Sequence, residues 1–167
     1  MNTLKIDLSK ITENISLLKS KLSPSTKILA VLKANAYGLG APLIAKRLES
    51  LELDYLGTAN IQEAVELRKE SINTPILVFS EPLDQDLDQI LKYNLTQTIY
   101  TRKKVDLLNE IGKKKDTKIN IHIKIDTGMG RNGELSSKAL ELIKYCKRLP
   151  YISVEGIMSH LSNSSNK

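Results

Sequence analysis

The sequence predicts an α/β fold in which parallel strands alternate with helices. Short apolar or β-branched runs recur along the chain, and each is followed by a longer window with helical periodicity. No linker or low-complexity tract interrupts this series. With 167 residues and a hydrophobic fraction of 41%, the chain can bury a sizeable core. We therefore expect one domain over residues 1–167.

The elements are assigned in chain order. A first helix is expected to run from Asp7-Leu8 through Leu22, with Ser9 as its N-cap, up to the break at Ser23-Pro24-Ser25. Strands are predicted at Ile28–Ala34, Tyr55–Ala59, Pro75–Ser80, Thr96–Tyr100, Lys118–Asp126 and Ser153–His160. Helices are predicted between them at Pro42–Leu51, Ile61–Glu70, Asp84–Tyr93, Lys103–Lys114 and Ser136–Arg148. About six βα-like strands result.

Six such strands fit either an open doubly wound sheet or part of a (βα)8 barrel of the TIM type. A complete barrel needs about 250 residues, which is more than this chain has. The sequence also stops just past the last predicted strand, with no helix after it. We expect an incomplete (βα)8 barrel, and hence a fragment or truncated chain.

Composition and charge limit the classes of function that the sequence favours. The net charge is +6, but the chain has no Trp and one Phe for stacking on bases, so nucleic-acid binding is not favoured, whereas an anionic cofactor or substrate is. No apolar run is long enough to span a bilayer, and no signal peptide is evident. The single Cys146 cannot form an internal disulfide and is expected in the core, which favours the cytoplasm; no metal site is predicted.

Lys33 follows the apolar run Ile28–Leu32 within the string AVLKANAYGLG, residues 30–40. Burying an unpaired ammonium is expensive, so a purely structural core would avoid a lysine here. A lysine in an apolar pocket can instead lose its proton and react with an aldehyde as a Schiff-base nucleophile. The alternative is that Lys33 closes a strand and extends its ammonium to water.

A second group of candidates lies in the strand INIHIKID, residues 119–126. Its isoleucines share one face, while the other face carries Asn120, His122, Lys124 and Asp126. The polar row indicates either the solvated face of an edge strand or the interior of a barrel near its catalytic end. The loop TGMGRNG follows at residues 127–133, and its Arg131 suits a carboxylate or phosphate. A third string, VEGIMSH at residues 154–160, ends on His160.

These three strings resemble the signatures of the alanine racemase family, in this order along the chain. The resemblance implies that Lys33 carries pyridoxal 5'-phosphate and is catalytic. It implies that Arg131 hydrogen-bonds the phenolic oxygen of the cofactor and contacts substrate together with Met129. Lys124 is implied to be carbamylated and to orient Arg131. The remaining cofactor contacts implied are Tyr37 at the phosphate and His160 against the pyridine ring. Val31, two residues before Lys33 and on the same face of the predicted strand, is expected to line the pocket wall.

The resemblance covers essentially all of this chain but only the first part of a family member. It implies interconversion of L- and D-alanine for the cell wall, a small amino-acid substrate and a homodimer in the full-length protein. Racemisation needs an acid/base group on each face of the substrate, and only Lys33 is matched here. The rest of the barrel and a β domain, which brings a Tyr base, are expected to be absent, so the isolated chain is predicted to be inactive.

Two alternatives remain. One is a non-catalytic pyridoxal-phosphate carrier or homeostasis protein of the same barrel type, which is not expected to combine Lys124 with the loop at residues 127–133. The other is a basic interaction domain in which the motifs are vestigial. One departure from the family pattern is Leu39, where members usually have a His.

Overall fold

The computed structural model describes residues 3–164, which form two compact units at residues 3–76 and 77–164. Each unit alternates parallel strands with helices, as the sequence pattern predicts. Within residues 3–164 no helix is both long enough and apolar enough to cross a membrane.

The first unit is built around the parallel pair β1 and β2. Its elements are α1 (Leu8–Lys21), β1 (Leu29–Val31), the short turn α2 (Lys33–Tyr37), α3 (Ala41–Ser50), β2 (Tyr55–Thr58) and α4 (Ile61–Lys69). The register runs from Leu29 opposite Tyr55 to Val31 opposite Gly57. Apolar side chains of the helices and of β2 form the core, among them Ala45, Leu48, Leu56, Ala64 and Leu67.

Most boundaries in this unit differ from the prediction by one residue, and larger differences occur at the N-cap of α1 and at the end of β1. The N-cap of α1 is Asp7 and not Ser9, because the Asp7 carboxylate accepts the Ser9 N–H at 2.9 Å. The first strand ends at Val31 instead of Ala34, since Leu32 has a ψ of 13° and Ala34 a φ of 51°. Neither conformation continues a strand.

The second unit contains β4 (Thr96–Ile99), β5 (Ile119–Asp126) and β7 (Ile152–Met158) as parallel neighbours, with β3 (Ile76–Val78) beginning at the unit boundary and pairing with β4. Its other elements are a 3-10 turn (Asp84–Asp86), α5 (Leu87–Lys92), α6 (Arg102–Lys115), the short strand β6 (Glu134–Leu135) and α7 (Ser136–Cys146). The sequence did not predict β6, which has only two residues and pairs with the end of β5.

Strand β5 lies between β4 and β7. The edge-strand interpretation of its polar row is therefore wrong. Ile119, Ile121 and Ile123 are at most 1% exposed, so their face belongs to the core. Cys146 is also fully buried, as predicted, and burial raises the pKa of its thiol to about 11. This thiol is protonated at neutral pH and has no nucleophilic character.

Candidate functional site

In the first unit, Lys33 lies two residues beyond the end of β1 and is half-buried. Its Nζ atom is 5.9 Å from the centroid of the Tyr37 ring, within the range of a cation–π contact. The Tyr37 side chain itself is 65% exposed. The structure thus brings together two of the predicted residues, a primary amine and a phenol, at the carboxyl end of one strand.

The backbone after Lys33 forms a left-handed turn. Ala34, Asn35 and Ala36 have φ values of 51–54° and ψ values of 47–49°, and Tyr37 has a φ of 55°. Residues with a side chain occupy this region at a cost of about 1–2 kcal/mol each. Such a turn persists only where its surroundings hold it in place.

Side chains hold both ends of this turn. At its start, one carboxylate oxygen of Glu63 accepts the Ala34 N–H and the other accepts the Ala59 N–H, each at 2.8 Å. At its end, Asn35 Oδ1 accepts the Ala41 N–H at 2.7 Å. The residue pair Asn35 and Glu63 therefore joins the turn to α3 and to the loop after β2.

Val31 and Lys33 do not lie on one continuous strand face, contrary to the prediction. We expected it on the same strand face as Lys33 because side chains alternate along a strand. The strand ends at Val31, and the non-extended Leu32 interrupts the alternation. Val31 is half-buried at the strand end, and its role as a pocket wall stays a prediction.

In the second unit, four predicted residues lie around one surface cleft: Lys124, Met129, Arg131 and His160. Lys124 comes from the end of β5 and is only 5% exposed, while the other three are exposed at the rim. The predicted strand ending at His160 stops at Met158, so His160 lies in the following loop.

Two cations dominate the charge of this cleft. Burial, followed by the neighbouring Arg131 guanidinium, lowers the pKa of the Lys124 ammonium, and Asp126 opposes this only in part. The Asp126 carboxylate accepts the N–H groups of Gly128 at 3.0 Å and Gly130 at 3.1 Å. These bonds lower its pKa, so it stays ionised and holds the loop. A cleft with a buried cation beside a second cation favours an anionic or oxyanionic ligand.

Several residues that the sequence did not assign complete the cleft. The Ser159 hydroxyl donates to the Ile125 carbonyl at 2.8 Å and lies 2.6 Å from the Thr127 hydroxyl, which joins the loops after β5 and β7. Within residues 3–164, Asn132 Oδ1 is a buried acceptor without a hydrogen-bond partner. Short polar residues in loops carry no periodicity, so only the fold identifies them.

The polar face of β5 also meets residues that were not predicted. The Thr96 hydroxyl donates to Glu155 at 3.1 Å. Burial lowers the pKa of His122, and Glu155 opposes that shift. A Cβ atom at Gly156 would lie 2.7 Å from His122 Cε1, so this glycine makes room for the imidazole. Glu155 therefore belongs to a polar cluster between strands.

Glu63 was also missed, although a signal exists. Asn60 and Glu63 have the spacing of a capping box, and the Glu63 N–H does donate to Asn60 Oδ1 at 2.9 Å. The contact with Ala34 spans 29 residues and has no local signature. Among residues 3–164 no group of three or more His, Cys, Asp or Glu side chains could hold a metal ion.

Comparisons with known proteins agree on one family. The family model described as "Alanine racemase, N-terminal domain" matches residues 6–167. Alanine racemase 1 of Caldanaerobacter subterraneus is 40% identical over 162 residues, which cover 96% of this chain and 42% of that protein. The solved alanine racemase of Clostridium difficile 630 is 35% identical, with a TM-score of 0.90 over 93% of this chain and 43% of its own.

The solved alanine racemase of E. faecalis is similar to 95% of this chain and 43% of its own length, with 31% identity and a TM-score of 0.88. The chain thus spans less than half the length of these relatives. Their likeness to both units confirms the predicted α/β class of the barrel type. Since the family model covers nearly the whole sequence, this chain belongs to the alanine racemase family.

Proposed function

We propose that this chain is the N-terminal, cofactor-binding portion of an enzyme that interconverts L- and D-alanine with pyridoxal 5'-phosphate. The observation that carries the proposal is the half-buried Lys33, held at the carboxyl end of β1 by a strained turn that the surrounding residues maintain. Strained backbone of this kind clusters at functional sites. Family membership supports the reaction, and the substrate and cofactor are our proposal.

The residues present fit this cofactor. Pyridoxal phosphate carries an aldehyde, a phosphate, a phenolic oxygen and a pyridine ring. Lys33 offers a primary amine for the aldehyde, with the Tyr37 hydroxyl nearby for the phosphate. The Arg131 guanidinium at the rim of the cleft offers charged N–H donors to an oxyanion. When bound, the cofactor supplies an electron sink for the substrate α-carbon.

We assign a role to each of the predicted site residues. Lys33 Nζ would hold the cofactor until the substrate amine takes its place, and the freed amine would then exchange one proton with the substrate α-carbon. The Arg131 guanidinium donates to the phenolic oxygen and, with Met129, contacts the amino acid. His160 packs on the pyridine ring and Val31 lines the wall.

Lys124 orients Arg131 and is the proposed carbamylation site. Carbamylation requires a neutral amine, and both burial and Arg131 shift Lys124 toward that form. The modification would also convert a repulsive cation pair into an attractive anion–cation pair.

One acid/base group cannot serve both faces of the substrate. We propose that the second base is a Tyr from outside this sequence, contributed across the interface of a homodimer. The complete enzyme would work in the cytoplasm and supply D-alanine for the bacterial cell wall. The isolated chain should bind pyridoxal phosphate and not racemise alanine.

Reductive trapping tests the proposal. The chain is incubated with pyridoxal phosphate and borohydride, and the labelled lysines are mapped by mass spectrometry. We expect the label chiefly on Lys33 and none at that position in Lys33→Ala. Lys92→Ala is the matched control, because Lys92 Nζ lies 5.3 Å from the Tyr93 ring in a similar contact. A label spread over surface lysines, with Lys33 not preferred, would overturn the proposal.

Two further measurements separate the alternatives. Salt-dependent binding to duplex or single-stranded nucleic acid would favour the basic interaction domain. Absence of alanine racemisation by a full-length protein that still traps cofactor on Lys33 would favour a non-catalytic carrier.

A further inference from the structure

We propose that Glu63 is a positioning residue for Lys33, acting through the Ala34 N–H. The inference rests on the proposed function, in which Lys33 binds the cofactor. It adds that the Glu63 carboxylate on α4, and not the turn alone, fixes the orientation of the Lys33 amine.

Glu63 is itself fixed in place. It lies in the first turn of α4, where its N–H donates to Asn60 Oδ1. Its two oxygens then accept one N–H each, from Ala59 in the loop after β2 and from Ala34 in the turn after β1. Hydrogen bonds to an ionised carboxylate are about twice as strong as neutral ones. The side chain therefore joins two loops that follow neighbouring parallel strands.

The Ala34 N–H belongs to the peptide group that joins Lys33 to Ala34. Because a peptide group is planar, fixing this N–H fixes the plane that contains the Lys33 Cα atom. Because β1 holds the backbone before Lys33, fixing this plane restricts the ψ rotation of Lys33 and with it the direction in which its side chain leaves the backbone. Ala34 is the first residue of the turn with a strained, left-handed φ. Removing its hydrogen bond should therefore loosen the turn at the point nearest to Lys33.

The contact requires a carboxylate. Both oxygens of Glu63 accept a backbone N–H, whereas an amide has one acceptor oxygen and an NH2 group that can only donate. Glu63→Gln keeps the side-chain shape but sets a donor against one of the two N–H groups. Glu63→Ala removes both bonds.

Glu49 supplies a matched control in the same unit. One of its carboxylate oxygens accepts the N–H groups of Asn73 at 2.7 Å and Thr74 at 2.8 Å. Glu49→Ala therefore removes a carboxylate that caps loop amides, as Glu63→Ala does, without touching the turn after Lys33. It measures the effect of lower stability alone.

The experiment compares four chains: the unaltered chain, Glu63→Gln, Glu63→Ala and Glu49→Ala. The first readout is the rate of borohydride-trapped pyridoxal phosphate on Lys33, relative to the label on surface lysines. The second is amide hydrogen exchange at Ala34 without cofactor. We expect both Glu63 variants to lower Lys33 labelling about tenfold and to speed Ala34 exchange, because a charge-assisted hydrogen bond is lost. Glu49→Ala should leave both unchanged.

Each other result overturns the inference. Faster Ala34 exchange with unchanged Lys33 labelling would show that the bond does not aim the amine, while the proposed function would stand. An equal loss of labelling in Glu49→Ala would mean that general destabilisation is the cause. No preferred label on Lys33 in the unaltered chain would overturn the proposed function and this inference together.

Discussion

The two loops that carry the candidate residues both contain positive φ values, but they accommodate and stabilise them differently. Residues 34–37 turn with a positive φ and contain no glycine. Residues 127–133 place glycines at their positive φ values, with 119° at Gly128, 68° at Gly130 and 126° at Gly133. The first loop is strained and needs Glu63 from a distant helix, whereas Asp126 holds the second from only two and four residues away. The strained residues thus follow directly after Lys33, whose orientation matters most under our proposal.

The largest expected effect tests the glycine loop. At Gly133 a Cβ atom would lie 2.6 Å from the Asp126 nitrogen, and the φ of 126° is itself unfavourable. Gly133→Ala should destabilise the chain by about 2–4 kcal/mol in urea unfolding. Gly130→Ala is the control, since a Cβ atom there meets nothing within 4 Å and only the φ penalty of about 1–2 kcal/mol remains. Equal costs would show that space at Gly133 is not limiting.

The opposite change tests the strained turn. Ala34→Gly relieves a left-handed residue at an exposed position, and this gain exceeds the added freedom of the unfolded chain. We expect a net stabilisation of about 0.5–1 kcal/mol by urea unfolding. Glu66→Gly, at an exposed position inside α4, should destabilise by about the same amount. A destabilising Ala34→Gly would contradict strain in this turn.

The hydrogen bonds with which Asp126 holds residues 127–133 should depend on pH. Hydrogen bonds from Gly130 and Gly128 hold the pKa of Asp126 below its usual 3.8. The ionised carboxylate therefore stabilises the loop fully above that usual value, and this contribution is lost as the pH falls through the lowered pKa. Amide exchange, corrected for intrinsic rates, should show Gly128 and Gly130 losing protection on acidification. Asp126→Asn should abolish that pH dependence, and persistent pH dependence would implicate another group.

The smallest expected effect concerns the cation pair. Removing the Arg131 charge in Arg131→Gln should raise the pKa of Lys124 toward its usual value without restoring it, because burial is the larger cause of the shift. An NMR titration of the Lys124 side chain measures this. Arg148→Gln, an exposed change outside the cleft, should leave it unaltered. An unmoved Lys124 in Arg131→Gln would mean that the two charges do not interact.

Much of the architecture follows from local pattern. Alternating apolar and polar residues identified β5, and each of the six predicted strands is present. Motif strings identified the family and selected Lys124, Arg131 and His160, which the structure gathers around one cleft. Two of the errors lie at element boundaries. Asp7 caps α1 in place of Ser9, and β1 ends before Lys33, because capping and backbone conformation depend on single hydrogen bonds that periodicity does not encode.

The amino-acid order by itself determined the α/β class, the family and the positions of the candidate amine and cations, since these depend on periodicity and on contiguous strings. Only the tertiary structure decided that β5 is an interior strand, that the backbone after Lys33 is left-handed, and that Glu63 supports it. Those features rest on contacts between residues far apart in the chain. Their free energy depends on distance and orientation in space, which a linear pattern does not contain.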